Sequence, residues 1–195
     1  MRSLLTKVLV LLGAFLLTTA LLALLWVPGQ VKKTPIDVNS VTRLVGEAKL
    51  ADGDGGTAAT PVKATSTTHA DSVLSTKDVV LFYNSSCLIK DPDGTAPDCV
   101  SADDPDGRLV SAGTDVFATN RKTALPVNDF ENLPADAQAK DGLMNKFPFG
   151  VEQENYAFWD GVLQRSVEAT YQGEETIDGL NTYKFLVDVP DTPAE

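Results

Sequence analysis

Residues 155–189, NYAFWDGVLQRSVEATYQGEETIDGLNTYKFLVDV, decide the fold. Two Asp-Gly pairs, Asp160-Gly161 and Asp178-Gly179, punctuate runs rich in Tyr, Phe, Val, Ile and Thr. β-branched and aromatic side chains suit a pleated surface, and Asp-Gly suits the type I′ turn, whose two central residues both need positive φ. In the last run Tyr183, Phe185, Val187 and Val189 alternate with Lys184 and Asp188, which gives one apolar face and one charged face. A three-stranded antiparallel meander is expected.

Working outward, residues 38–50 and the Thr/Val-rich residues 62–68 read as strands, separated by a glycine-rich break over residues 51–57. That break holds Gly53-x-Gly55, but Gly56 follows at once, so the spacing is that of a turn and not of a dinucleotide loop. Val79-Val80-Leu81-Phe82-Tyr83 is a continuous apolar run, as a strand buried on both faces would be. One short soluble helix is expected over residues 129–140, opened by Pro134. The predicted fold is therefore mainly β, an antiparallel meander in a β-rich extracytoplasmic domain, with one N-terminal transmembrane α-helix.

That transmembrane helix rests on residues 8–27, twenty residues without a charge. At a rise of about 1.5 Å per residue they match a hydrocarbon core of roughly 30 Å. A cleavable signal peptide has a shorter apolar region, and cutting after Ala20 would leave Leu21-Leu22-Ala23-Leu24-Leu25 exposed, so an uncleaved signal-anchor is expected. Trp26 suits an interfacial anchor, and Pro28-Gly29 is expected to end the helix. The organisation follows: a cytoplasmic tail at 1–7, the anchor at 8–27, a stalk at 28–35 and an extracytoplasmic domain at 36–195. The expected localisation is a cell membrane crossed once. Lys32 and Lys33 oppose Arg2 and Lys7, so the orientation rests on the short N-terminal flank and on the cysteines.

The chain carries 16 Lys and Arg against 27 Asp and Glu, a net charge of −11. Such an excess disfavours nucleic acid and anionic headgroups as partners, because both are bound by Lys and Arg. Cys87 and Cys99 enclose LIKDPDGTAPD, a loop full of turn formers, and a disulfide between them is expected. Asp-Pro-Asp-Gly occurs twice, at Asp91 to Gly94 and at Asp104 to Gly107. Both read as β-turns; weak calcium binding by Asp91, Asp93, Asp104 and Asp106 is the alternative, although neither repeat has the ligand spacing and closing Glu of an EF-hand loop.

No catalytic constellation stands out. His69 is the single histidine, and no Gly-x-Ser-x-Gly, Gly-Lys-Ser/Thr or His-Glu-x-x-His motif occurs. Asp160, Glu174 and Glu175 could form a carboxylate pair, but 27 acids always supply pairs. No cofactor and no enzyme activity are expected. The aromatics Phe147, Phe149, Tyr156, Phe158, Trp159, Tyr171, Tyr183 and Phe185 concentrate within forty residues. Their ordinary role is to fill a core; the alternative is the lining of an apolar ligand site.

Several passages resemble the actinobacterial PorA-like membrane protein family. They are Val27-Pro28-Gly29-Gln30-Val31, Asp115-Val116-Phe117-Ala118-Thr119-Asn120-Arg121-Lys122-Thr123, Lys146-Phe147-Pro148-Phe149-Gly150, and Phe158-Trp159-Asp160-Gly161 with Tyr171 through Leu180. The resemblance implies an N-terminal helix, a large outer domain and often a second membrane helix near the C-terminus. The sequence reaches Glu195 without that second segment, so the domain is expected to be incomplete there. Arg165 through Phe185 also looks distantly like the scavenger-receptor family of lipid receptors, which implies lipid binding or transfer. The expected function is an envelope protein handling an apolar ligand, with a porin or a structural module that binds other proteins as the alternatives.

Overall fold

In the computed structural model, residues 2–50, 59–101, 103–161 and 163–188 are described, and the chain divides into a unit over Met1–Thr34 and a unit over Pro35–Glu195. The first unit is helical: α1 (Arg2–Leu25) is followed by α2 (Val27–Val31). Together they give an apolar span of 29 residues, Ser3–Val31, long enough to cross a membrane. A helix satisfies its backbone polar groups internally, as lipid demands, and Thr18 and Thr19 donate their hydroxyls to the carbonyls of Ala14 and Phe15, each at 2.8 Å. Pro28 does not end the helical run as expected. It lies in the first turn of α2, where its missing N–H costs no hydrogen bond.

The second unit contains two antiparallel meanders. The first is β1 (Asn39–Lys49), β2 (Ala59–Asp71), β3 (Val79–Lys90) and β4 (Leu109–Asn120), in that spatial order. The register sets Ala70 opposite Phe82 and Phe82 opposite Phe117, so all three share one face, where they form a core with Val80. The Phe82 and Phe117 rings lie 5.3 Å apart. On the other face Cys87, Ile89 and Ala96 cluster, and Cys87 is bonded to Cys99, with the two Cα atoms 5.7 Å apart. The disulfide thus pins the loop between β3 and β4 across that face.

The turns inside this loop use their acids on the chain itself. Gly94 N–H donates to the Asp91 carbonyl at 3.3 Å, and Gly107 N–H to the Asp104 carbonyl at 3.0 Å. Both glycines have positive φ, 70° and 62°. The glycine-rich break at 51–57 lies outside the described residues, as does Val189.

The second meander is β5 (Tyr156–Asp160), β6 (Arg165–Ile177) and β7 (Leu180–Val187). Asp178 and Gly179, at φ 51° and 80°, make the tight turn expected between Ile177 and Leu180. Asp160-Gly161 does not make one. Asp160 pairs with Arg165, and its carboxylate accepts the Leu163 N–H at 2.9 Å, so the aspartate stabilises a longer loop.

The strands of the two sheets do not pack directly on each other; residues 121–149 run between them. At one end Val127 N–H donates to the Ala118 carbonyl at 2.9 Å, extending β4 outward. At the other, Leu143 N–H donates to the Ala157 carbonyl and the Leu143 carbonyl accepts the Trp159 N–H, both at 2.8 Å, extending β5. Gly142 enables this approach. It sits at φ 71°, and a Cβ there would lie 2.7 Å from the Ala157 oxygen.

The helix expected over residues 129–140 is absent, and isolated turns replace it, such as Leu133 N–H to Phe130 and Ala137 N–H to Pro134, both at 3.0 Å. Side chains at fixed points outcompete so short a helix, whose nucleation is costly. Asn128 clamps the Lys140 backbone through both its amide groups, at 2.8 and 3.0 Å, and Asn132 donates to the Leu74 carbonyl at 2.9 Å.

Candidate functional site: an aromatic face beside a polar cleft

The pairing of β5, β6 and β7 gathers most of the aromatic residues on one surface. Tyr156 is opposite Ala169, Ala169 opposite Val187, and Tyr171 opposite Phe185, so directly paired residues share a face. Phe158 and Tyr183 join it two residues along their strands. Phe147, from the connecting segment, stacks on Phe185 at 4.4 Å and meets Tyr156 at 5.6 Å and Phe158 at 5.8 Å. Tyr171 meets Phe185 at 5.7 Å and Tyr183 at 5.8 Å. These six rings form one connected set of contacts; five are partly buried, and Tyr183 is 38% exposed. Loss of water, helped by the nearby Glu174 carboxylate and Tyr183, raises the Tyr171 phenol above its ordinary value.

Two of the predicted lining residues stand apart from this cluster. Trp159 alternates to the opposite face of β5 and is buried there. Phe149 is 42% exposed and carries the Lys146 ammonium 4.1 Å from its ring centre. Burial lowers the Lys146 pKa.

Beside the aromatic face lies a cleft of about 680 Å³, within the range of small-ligand sites. It exists because β3 changes character along one face. Val80 and Phe82 fill the core, but the next residues on that face are Asn84 and Ser86, opposite Asp115 and Gly113 of β4. These short polar side chains leave the space above them open. Phe158 and Val187 form the facing wall, so the cleft and the aromatic surface meet at Phe158.

Lys140 sits in the cleft wall with its side chain only 3% exposed. Its ammonium lies 3.0 Å from the Asp115 carboxylate and 4.9 Å from the Trp159 ring centre, and donates to Gln138 at 3.2 Å. Sequence reading missed this assembly, because Lys140 looked like the solvated end of a helix and Asp115 like one acid among many. The Asn128 clamp fixes the Lys140 backbone where its side chain reaches Asp115.

The acidic repeats hold no such opening. Asp91 accepts the Ala96 N–H at 2.9 Å, and Asp104 accepts those of Arg108 and Leu109 at 3.0 and 2.7 Å. Asp93 and Asp106 lie 3.5 and 3.8 Å from the Arg108 guanidinium. The Thr95 hydroxyl, with Arg108 as a smaller influence, lowers the Asp93 pKa. Among the described residues no three His, Cys, Asp or Glu side chains converge as metal ligands would. Glu174 accepts from Gln153 at 2.7 Å and Glu175 lies 3.9 Å from Lys184, each on its own part of the second sheet.

The sequence profile of the porin PorA family matches residues 5–195. A protein described as porin PorA from Corynebacterium amycolatum is 31% identical across 42% of this chain and 24% of its own length. The match therefore spans about a quarter of that relative. With the profile matched along nearly its whole length, and with antiparallel sheets following one apolar helix, the chain belongs to the porin PorA family of cell-envelope proteins.

Proposed function

We propose that this chain is a non-catalytic, membrane-anchored binding module that holds an apolar envelope ligand, a lipid, on the aromatic face of β5, β6 and β7. The observation that carries this reading is the six-ring surface. Rings packed at 4.4 to 5.9 Å and only partly withdrawn from water form a contiguous apolar platform on the sheet. Large apolar patches of this kind mark binding surfaces more often than idle ones.

The short basic flank of Arg2 and Lys7 supports a cytoplasmic N-terminus, and a disulfide belongs in an oxidising compartment, beyond the membrane. The helix therefore ties the binding face to the bilayer from which a lipid would come. A pore, as the family's description suggests, is the competing reading, and a module that binds other proteins is the third.

Gentle purification of the full-length protein, with mass spectrometry of the lipid extracted from it, separates the three. The expected result is a stoichiometric lipid, lost when Phe147 and Phe185 are both replaced by Ala. Lipid-free protein that gives reproducible conductance steps in planar bilayers would reverse the ranking.

A further inference from the structure

The cleft beside the aromatic face has a chemistry that the apolar reading leaves unused. Its described lining includes the amides of Asn84, Gln138, Asn145 and Gln164 and the hydroxyls of Ser86 and Thr114; Asn84, Gln138 and Gln164 each spend part of their capacity on bonds within the chain. Lys140 is the one cation in it, and the Asp115 carboxylate 3.0 Å away neutralises it. With Asp160 also in the wall, the cleft carries no surplus positive charge to attract a phosphate. Neutral amides and hydroxyls both donate and accept, which matches a ligand whose groups do the same, namely a polyol. Phe158, in the same lining, offers a flat ring against which the C–H face of a sugar can lie.

The junction at Phe158 makes the site amphiphilic. Phe158 meets the aromatic cluster through Phe147 at 5.8 Å and also lines the polar cleft. From this we infer that the cleft receives the neutral sugar headgroup of a glycolipid whose apolar part lies across the aromatic face. The inference rests on the apolar-ligand reading above and narrows it to one lipid class. Asn145 is the natural sensor. It is exposed at the rim, and its side-chain amide makes no hydrogen bond within the described residues, so it is available to a headgroup and dispensable to the fold.

The test uses full-length protein in phosphatidylcholine nanodiscs doped equally with digalactosyl diacylglycerol, phosphatidylglycerol and diacylglycerol. Native mass spectrometry after mild extraction reads which lipid is retained. The expected result is preferential retention of the digalactosyl lipid, reduced about fivefold in Asn145→Ala, the scale of one hydrogen bond. Equal retention of digalactosyl lipid and diacylglycerol, unchanged in Asn145→Ala, overturns the headgroup inference and leaves the apolar reading standing. A preference for phosphatidylglycerol also overturns it.

If no lipid is retained, saturation-transfer NMR with the free digalactoside decides. Transfer that is lost in Asn145→Ala keeps the sugar cleft and removes the apolar reading; no transfer removes both.

Discussion

In the four-stranded sheet Val80, Leu81, Phe82 and Ile89 are at most 1% exposed, whereas in the three-stranded sheet only Trp159 and Ala169 are buried. The first sheet puts its large side chains out of water and fastens a loop across its back with a disulfide. The second leaves its rings in contact with each other and with solvent. A three-stranded sheet is only marginally stable without something packed on it, and here Phe147 and Leu143 supply that from outside the sheet. The contrast is one of burial: one sheet hides its large side chains, the other keeps its rings at the edge of solvent.

The sharpest way to break this comparison is to remove one phenyl ring from each sheet. Phe82→Ala empties a fully buried site and should cost about 3–5 kcal/mol. Phe185→Ala removes a partly buried ring and should cost less, about 2 kcal/mol, since part of its area already meets water. Urea titration of the full-length protein in micelles measures both. Equal losses would show that the aromatic face is a core like the other.

Next in size is the covalent clip. Replacing Cys87 and Cys99 together by Ser should lower stability by about 3 kcal/mol, the loop-closure value for a short bridge. Hydrogen exchange should show the loss in β3, β4 and the loop between them, with β5 to β7 protected as before. Loss of protection in both sheets would mean that the disulfide supports the whole unit.

The smallest effect concerns an ion cluster on the same face as the disulfide. Asp98 receives Arg43 through a bidentate contact at 2.6 to 2.9 Å and Lys63 at 3.0 Å. The Arg43 hydrogen bonds, then that from Lys63, hold the Asp98 carboxyl far below the usual carboxylate range, and the bond to Asp98 raises the Arg43 pKa. A depressed carboxylate contributes stability above its unfolded value, about 4, and loses it as pH falls through the folded value. Acid titration of wild-type protein should therefore show weakening below about pH 4 that Asp98→Asn lacks. Exposure of the cluster keeps the effect small and salt-sensitive. A pH profile identical in the two proteins would remove Asp98 from the account.

The parts of the fold legible in sequence were those with a local signature. The N-terminal apolar helix announced itself by twenty uncharged residues, and Asp178-Gly179 by its turn geometry. The pairing of Cys87 with Cys99 followed from a loop of turn formers. The strand β4 escaped notice because Ser111, Gly113, Thr114 and Asp115 interrupt its apolar pattern; its pairing with β3 supplies what its own propensity lacks. The helix expected at 129–140 failed for a related reason, since Asn128 and Asn132 bond to residues that are distant in sequence. At the candidate site the aromatic stripe was visible as composition. The cleft was not, because it arises where Asn84 and Ser86 fail to fill a space that the second sheet encloses.

Both sheets are meanders in which every strand pairs with its neighbour in sequence. No pairing has to wait for a distant partner, so the loop entropy to be overcome before each contact is low and the folding order runs with the chain. The four-stranded sheet has all its strands by Asn120, before any strand of the second has appeared. Leu143, which docks on β5, also precedes it, so the first strand of the aromatic sheet meets a prepared edge. For a polypeptide made from its N-terminus, the sheet with the buried core is complete in sequence while the strands that carry the aromatic cluster are still arriving.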